Sequence, residues 1–287
     1  MDLPDNTLLP FFAYGVFRRG EIAYLRVKEY VDRLDADARC KGRIVIRDGL
    51  PLLDPAGTEI VTGDLLFFEP KTAGRAYHRI VQLEPDRQYE WATLDVQTSE
   101  GSVTANGLLG LRLENGCSSS DCPFKGSADP LFKEAFALVD DALQQYSERQ
   151  SPTEPNPDFK NLLGLQMAYM LLWTSIERYT TLRYGLGEDV MAKIRQLATD
   201  EFFKSKLREV VSRRDKLFPT NDPSSPKKLN RDNVKGSLDY YYQVRCNITH
   251  RGKAAFDDFD RLRYSLSELK DIFQATLANA FQESART

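Results

Sequence analysis

At 287 residues, with 41% hydrophobic and 28% charged side chains, the chain is long enough for one large or two ordinary domains and has the makeup of a globular protein. No apolar run approaches the roughly 18 residues of a membrane-spanning helix, and the first residues carry acids where a secretory signal has a basic flank. The net charge of −3 is uneven: residues 1–157 hold 17 basic against 25 acidic side chains (−8), and residues 158–287 hold 22 against 17 (+5), which favours a polyanionic partner for the second half.

In chain order, Leu8–Tyr14 reads as an apolar strand entering Gly15, and Glu21–Leu34 as a helix. Arg43–Arg47 alternates apolar and basic residues before the Asp48-Gly49 turn. Ile60–Phe68 and Ala92–Thr98 are strands rich in Val, Thr, Leu and Phe, separated by a helix over Thr72–Leu83 whose apolar residues fall at helical spacing. Asn106–Leu113 is a last strand, and Glu114–Asp129 is a Gly/Ser/Asp loop. A helix over Pro130–Tyr146 carries Leu131, Ala135, Leu138 and Ala142 on one stripe. Arg149–Pro157, with three prolines, is the expected domain boundary. Beyond it Leu162–Tyr184, Glu188–Thr199, Glu201–Leu217, Asn233–Arg251 and Asp257–Gln282 read as helices, with a polar loop over Pro219–Asn230.

The chemistry of the second half gathers on the helix that runs through Tyr240-Tyr241-Tyr242-Gln243-Val244-Arg245-Cys246-Asn247-Ile248-Thr249-His250-Arg251-Gly252. Asp232 is the expected N-cap and Gly252 the expected stop. His250 then sits in the last turn, where the negative end of the helix dipole favours imidazolium and brings its titration towards neutrality, as proton transfer requires. Asn247 lies three residues before it on nearly the same face. Spacing assigns most of Tyr240–Tyr242 to the core, with base stacking open to the remainder. Lys227, Lys228, Arg231 and Arg251 are candidate phosphate contacts.

The Arg245-x4-His250 pair, with Asn247 inside it, a basic Gly-containing exit and an all-helical setting, resembles the HEPN family over roughly residues 158–282. A first helix carrying Tyr169, Trp173, Glu177 and Tyr179 belongs to the likeness. The resemblance implies a helical bundle and a metal-independent endoribonuclease acting as a homodimer on RNA. His250 would assist a ribose 2′-hydroxyl in attacking the adjacent phosphodiester, and Arg245 would hold the phosphate. Cys246 stands where the family usually has a polar residue. A toxin or antiphage defence role follows from the family by analogy.

In the first half, Phe12-Ala13-Tyr14-Gly15 places a glycine turn directly after a strand. Gly49-Leu50-Pro51-Leu52, Val61-Thr62-Gly63-Asp64-Leu65, a helix ending in Leu83-Glu84 and Tyr89 follow in order. Together these resemble the gamma-glutamylcyclotransferase-like fold over about residues 8–115, a small mixed β-barrel flanked by helices. By that resemblance the Tyr14-Gly15 turn binds the amino-acid end of a small ligand and Glu84 is the acid/base. The family's smaller pair after Tyr-Gly is here Val16-Phe17. His78 reads as a helix-surface residue.

The expected architecture is α+β: a barrel over residues 1–115, a loop, helix and linker over 116–157, and a helical bundle over 158–287. A cytoplasmic protein with unpaired thiols is expected, with no metal, cofactor or membrane segment. The barrel would act as a ligand-sensing or regulatory domain. The rival expectation is a working cyclotransferase with helices that only dimerise, or a non-catalytic interaction protein.

Overall fold

The computed structural model describes residues 1–47, 50–84, 87–115, 117–118, 125–148, 159–185, 189–219, 224–251 and 259–286. The expected Asp48-Gly49 turn and Arg149–Pro157 boundary lie outside the described residues, as do residues 116 and 119–124 of the Gly/Ser/Asp loop and the Gly252 stop. The chain forms two compact units, Met1–Asp129 with Thr181–Glu188 and Ala280–Thr287, and Pro130–Thr180 with Asp189–Asn279. It is α+β, with a closed five-strand barrel and seven α-helices among the described residues.

The first unit contains β1 (Phe11–Ala13), β2 (Val31–Lys41), β3 (Arg43–Arg47), β4 (Leu50–Asp54), β5 (Ile60–Phe68), α1 (Ala73–Val81), β6 (Tyr89–Thr98), β7 (Gly101–Gly110) and β8 (Cys117–Ser118). The strand order is β1-β5-β2-β6-β7-β4-β3-β8. The ring closes because β1 pairs antiparallel with β5 (Phe11↔Leu66) and parallel with β7 (Phe11↔Asn106). Phe12, Tyr14, Ala38, Cys40, Val61, Leu65, Val96 and Ala105 fill its interior, and closure removes the unpaired edges an open sheet would expose.

The helix expected over Glu21–Leu34 is not formed. Ile22–Arg26 and Lys28–Tyr30 are short 3-10 turns, and from Val31 the chain runs as the longest strand of the barrel. The period-2 pattern of β2 is interrupted by register shifts at Val31/Arg33 and Asp35/Ala38, with Asp37 at φ 57°. Each bulge resets which side chains face inward, so only Ala38 and Cys40 alternate cleanly with exposed Arg39 and Lys41.

The second unit is built on α2 (Pro130–Glu148), α3 (Phe159–Tyr184), α4 (Val190–Leu197), α5 (Glu201–Val210), a two-stranded ribbon of β9 (Asp215–Leu217) and β10 (Lys227–Leu229), α6 (Val234–Arg251) and α7 (Phe259–Ala285). The last residues of α3 and α7 are counted with the first unit. Tyr169, Trp173, Tyr179, Phe203, Tyr240, Tyr241 and Phe273 are its largest fully buried side chains, joined by Leu172, Ile194, Leu207, Leu266 and Leu269. Asp189 caps α4 through Met191 N–H (3.0 Å), and Asp200 caps α5 through Phe203 N–H (2.8 Å).

Three expectations for this unit are corrected. The helix expected over Glu201–Leu217 stops at Val210, and its last residues become β9. Arg213 thereby reaches Glu268 (2.9 and 3.0 Å), Asp215 (3.0 Å) and Ser265 (3.1 Å), partners that a continued helix would not bring together. The polar loop expected over Pro219–Asn230 contains β10, which completes the backbone hydrogen bonds of β9. The cap of α6 is shifted by one residue. Asn233 Oδ1, not Asp232, accepts from Gly236 N–H at 2.9 Å.

Candidate functional site

On α6 the three tyrosines divide by side. Tyr240 and Tyr241 are fully buried, and Tyr242 is half-buried. The Tyr240 hydroxyl donates to Asp215 (2.7 Å), and burial followed by that carboxylate pushes it up to about 12. The Tyr241 hydroxyl donates to Glu268 (2.8 Å), and the Tyr241 carbonyl accepts from Tyr169 (2.8 Å). These two rings are core and are closed to a stacking base.

Arg245 is half-buried. Its Nη2 lies 3.5 Å from Glu177 Oε1, and its guanidinium carbon stands 5.5 Å from the centroid of the Tyr242 ring. Trp173 meets that ring edge-on at 5.3 Å. Tyr169, Trp173 and Glu177 recur every four residues on α3, so one stripe of that helix presents two aromatics and a carboxylate to α6. Arg245 is thus held by an acid and a ring, with 24% of its side chain still open to solvent.

Asn247 is fixed from both ends. Its Oδ1 accepts from Gln243 Nε2 (2.9 Å), and its Nδ2 donates to the Phe218 carbonyl (3.3 Å) just past β9. Cys246 carries a free thiol that burial raises and the Arg245 charge opposes. His250 and Arg251 lie in the final turn of α6 by their backbone; their side chains lie outside the described residues. At about 100° per residue, positions 247 and 250 are set about 60° apart around the helix, whereas positions 245 and 250 are set about 140° apart.

The other expected cations separate. Lys228 is exposed and lines a groove with Arg214 and Lys216, two basic residues that no motif in the sequence singles out. Lys227 projects from the opposite face of β10, as successive strand residues do. Arg231 is 62% exposed and 3.9 Å from Asp232.

In the barrel, Tyr14, Gly15, Val16, Phe17, Pro51 and Glu84 line one pocket, together with Tyr89 and Leu108. Sequence-distant residues meet there because β1 ends at its rim while the turn that closes α1 carries Glu84, whose N–H donates to the Ile80 carbonyl (3.1 Å). Glu84 is 6% exposed. The Tyr14 hydroxyl donates to the Leu108 carbonyl (2.7 Å) and accepts from Leu53 N–H (3.3 Å), and burial, then the Glu84 charge, push it strongly upward. Its oxygen is therefore occupied in tying β1 to β4 and β7. Gly15 has its own steric reason: a Cβ there would stand 2.6 Å from Pro51 Cγ. The pocket leaves about 20 Å³ to the centre of a water molecule, room for a small polar group. Buried Val16 and Phe17 belong to its wall. His78 is exposed and contacts Gln82 at 3.1 Å.

Among the described residues no helix is long and apolar enough to cross a membrane. No family model and no curated protein matches the chain. Solved structures with local similarity include YkqA from Bacillus subtilis, at 17% identity over 44% of this chain and 42% of that one, with a TM-score of 0.34. The match thus spans under half of the Bacillus protein. An uncharacterised protein from Pyrococcus horikoshii matches at 16% identity over 36% of this chain and 77% of its own, TM-score 0.27. A protein from Arabidopsis thaliana, solved in solution, matches at 13% identity over 53% and 98%, TM-score 0.30.

Proposed function

We propose that the helical unit is a HEPN-type, metal-independent endoribonuclease and that α6 carries its catalytic pair, Arg245 and His250, with Asn247 between them. The observation that carries this reading is the half-buried Arg245 guanidinium on α6, held by Glu177 of α3 at 3.5 Å and by the Tyr242 ring at 5.5 Å, about one and a half turns before the helix end that bears His250. A cation fixed in this way is prepared to meet a phosphate without first being ordered.

In the proposed reaction His250 takes the proton of a ribose 2′-hydroxyl. The freed oxygen attacks the neighbouring phosphorus, and the P–O bond to the next nucleotide breaks, its 5′-oxygen taking a proton from water as it leaves. The products are a 2′,3′-cyclic phosphate and a 5′-hydroxyl end. Arg245 binds the nonbridging oxygens as their charge grows. Because positions 245 and 250 are about 140° apart around one helix, two copies of the chain supply a working pair. The experiment is cleavage of single-stranded RNA by the full chain in the presence of a chelator, with mass spectrometry of the ends. Arg245→Ala and His250→Ala are expected each to lose about 10²–10⁴-fold in rate. Cleavage by both variants at the parental rate would reject the assignment.

A second reading is favoured by a separate observation, the burial of Glu84 in a pocket beside the Tyr14-Gly15 turn. We infer that the barrel is of gamma-glutamylcyclotransferase type and takes the amino-acid end of a small ligand there, as a regulatory site or as a cyclotransferase in its own right. Release of 5-oxoproline from γ-glutamyl substrates, lost in Glu84→Gln, would identify the latter.

A further inference from the structure

The β9/β10 ribbon sets Lys216 directly opposite Lys228, both exposed. Directly opposed side chains on an antiparallel pair stand about 5 Å apart, and two like charges there are destabilising unless an anion lies between them. Arg214 is two residues before Lys216 and shares its face, so three cations line one groove of about 540 Å³ with Asn230 and Asn233. Among the described residues none of these three cations has a carboxylate partner. The acid in that lining, Asp215, is held by Tyr240 (2.7 Å), Arg213 (3.0 Å) and Arg261 (3.0 Å).

The alternation of exposed Arg214 and Lys216 with inward Asp215 and Leu217 continues to Phe218, which is 52% exposed. A large aromatic left in water at the end of a cationic track is the pairing by which single-stranded nucleic acid is held, phosphates on cations and a base on a ring. The ribbon also has a direction. Asp215 meets Tyr240, and Phe218 meets Asn247. Three strand residues and seven helical residues each advance about 10 Å, so β9 runs beside α6 in the same sense, towards the turn that bears His250.

From this we propose that Arg214, Lys216 and Lys228 form a phosphate track, and Phe218 a base platform, that lead a single RNA strand to the end of α6. The proposal rests on the nuclease reading for its choice of RNA, and it adds binding residues to that site.

The test is binding of a fluorescent single-stranded RNA to the full chain carrying His250→Ala, measured by anisotropy across a salt series. Replacing Arg214, Lys216 and Lys228 together by glutamine is expected to weaken binding at least tenfold and to flatten the salt slope by roughly 0.7 for each phosphate no longer neutralised. Phe218→Ala is expected to weaken it roughly tenfold with the slope unchanged. Since the three cations repel one another, the triple variant should unfold no earlier than its parent on heating, which separates impaired binding from impaired folding. Unchanged affinity and slope in the triple variant, or unchanged affinity in Phe218→Ala, would overturn the proposal. The assay reads binding alone. A chain that binds RNA through the groove yet cuts none would sink the nuclease reading and leave the groove, whereas a chain that cuts RNA while the variants bind as the parent does would sink the groove alone.

Discussion

Glu177 Oε1 on α3 stands 3.5 Å from the Arg245 guanidinium on α6, so the cation proposed to meet the scissile phosphate is positioned by a carboxylate 68 residues away in sequence. The pair is partly exposed, 24% and 32%, so its worth lies in orientation more than in stability. Glu177→Ala should therefore change the folding free energy by less than about 1 kcal/mol. RNA cleavage should fall by roughly 10–100-fold as Arg245 loses its fixed pose. Kinetics and urea unfolding on the same variant check both halves, and a large loss of stability would mean the pair is structural.

The Arg213–Glu268 pair is the opposite case. Arg213 bonds Glu268 through two nitrogens at 2.9 and 3.0 Å, and Tyr241 donates to the same carboxylate at 2.8 Å. With side chains 22% and 13% exposed, removing the cation leaves a largely dry acid without its counter-charge. Arg213→Ala is expected to cost about 3 kcal/mol in urea unfolding. Methionine at both positions should recover much of that loss.

Tyr14 ties the barrel together from inside. Its hydroxyl bonds Leu108 and Leu53 inside the barrel. Tyr14→Phe leaves a buried carbonyl and N–H short of a partner and should cost about 1–3 kcal/mol. A Tyr14→Phe barrel as stable as the parent would show that these two bonds contribute no net stability.

Glu21 supplies a pH dependence. It is buried and accepts from Gly126 N–H at 2.9 and 3.0 Å. Burial pushes its carboxyl from the ordinary 4.5 up to about 7, with Gly126 and Arg18 opposing and Asp64 and Asp129 adding to the rise. The folded chain therefore holds this proton more tightly than the unfolded chain does. Its contribution favours folding most below pH 4.5, declines as pH rises from there through about 7, and levels off above. The whole span is on the order of 3 kcal/mol. Glu21→Gln should flatten this part of the stability profile and raise stability at pH 8; a profile unchanged in shape would show that Glu21 is not the group.

Much of the fold was legible because its elements follow simple periods. Ile60–Phe68 matches β5 with the expected bounds, and the helix over Thr72–Leu83 encloses α1. β2 was hidden by its two bulges, which destroy the alternation by which a strand is recognised, and by acids and arginines that face outward. The end of α5 was misplaced because Ser212-Arg213-Arg214 has ordinary helix formers. What turns it extended is the position of Glu268 and Asp215, which no local pattern carries. The site shows the same division. Arg245, Asn247 and His250 stand within one run of sequence, whereas Glu177, Phe218 and the facing lysines join them only through packing and register.

If Arg245 and His250 act on RNA from paired copies of the chain, two inactive variants should rescue each other when mixed. Arg245→Ala and His250→Ala are each expected to form folded dimers that cut RNA about 10²–10⁴-fold more slowly than the parent. After subunit exchange, a mixed dimer holds one intact arginine and one intact histidine on different chains, and cleavage should return. Mixed dimers that form and remain inert would refute shared catalysis by the two residues.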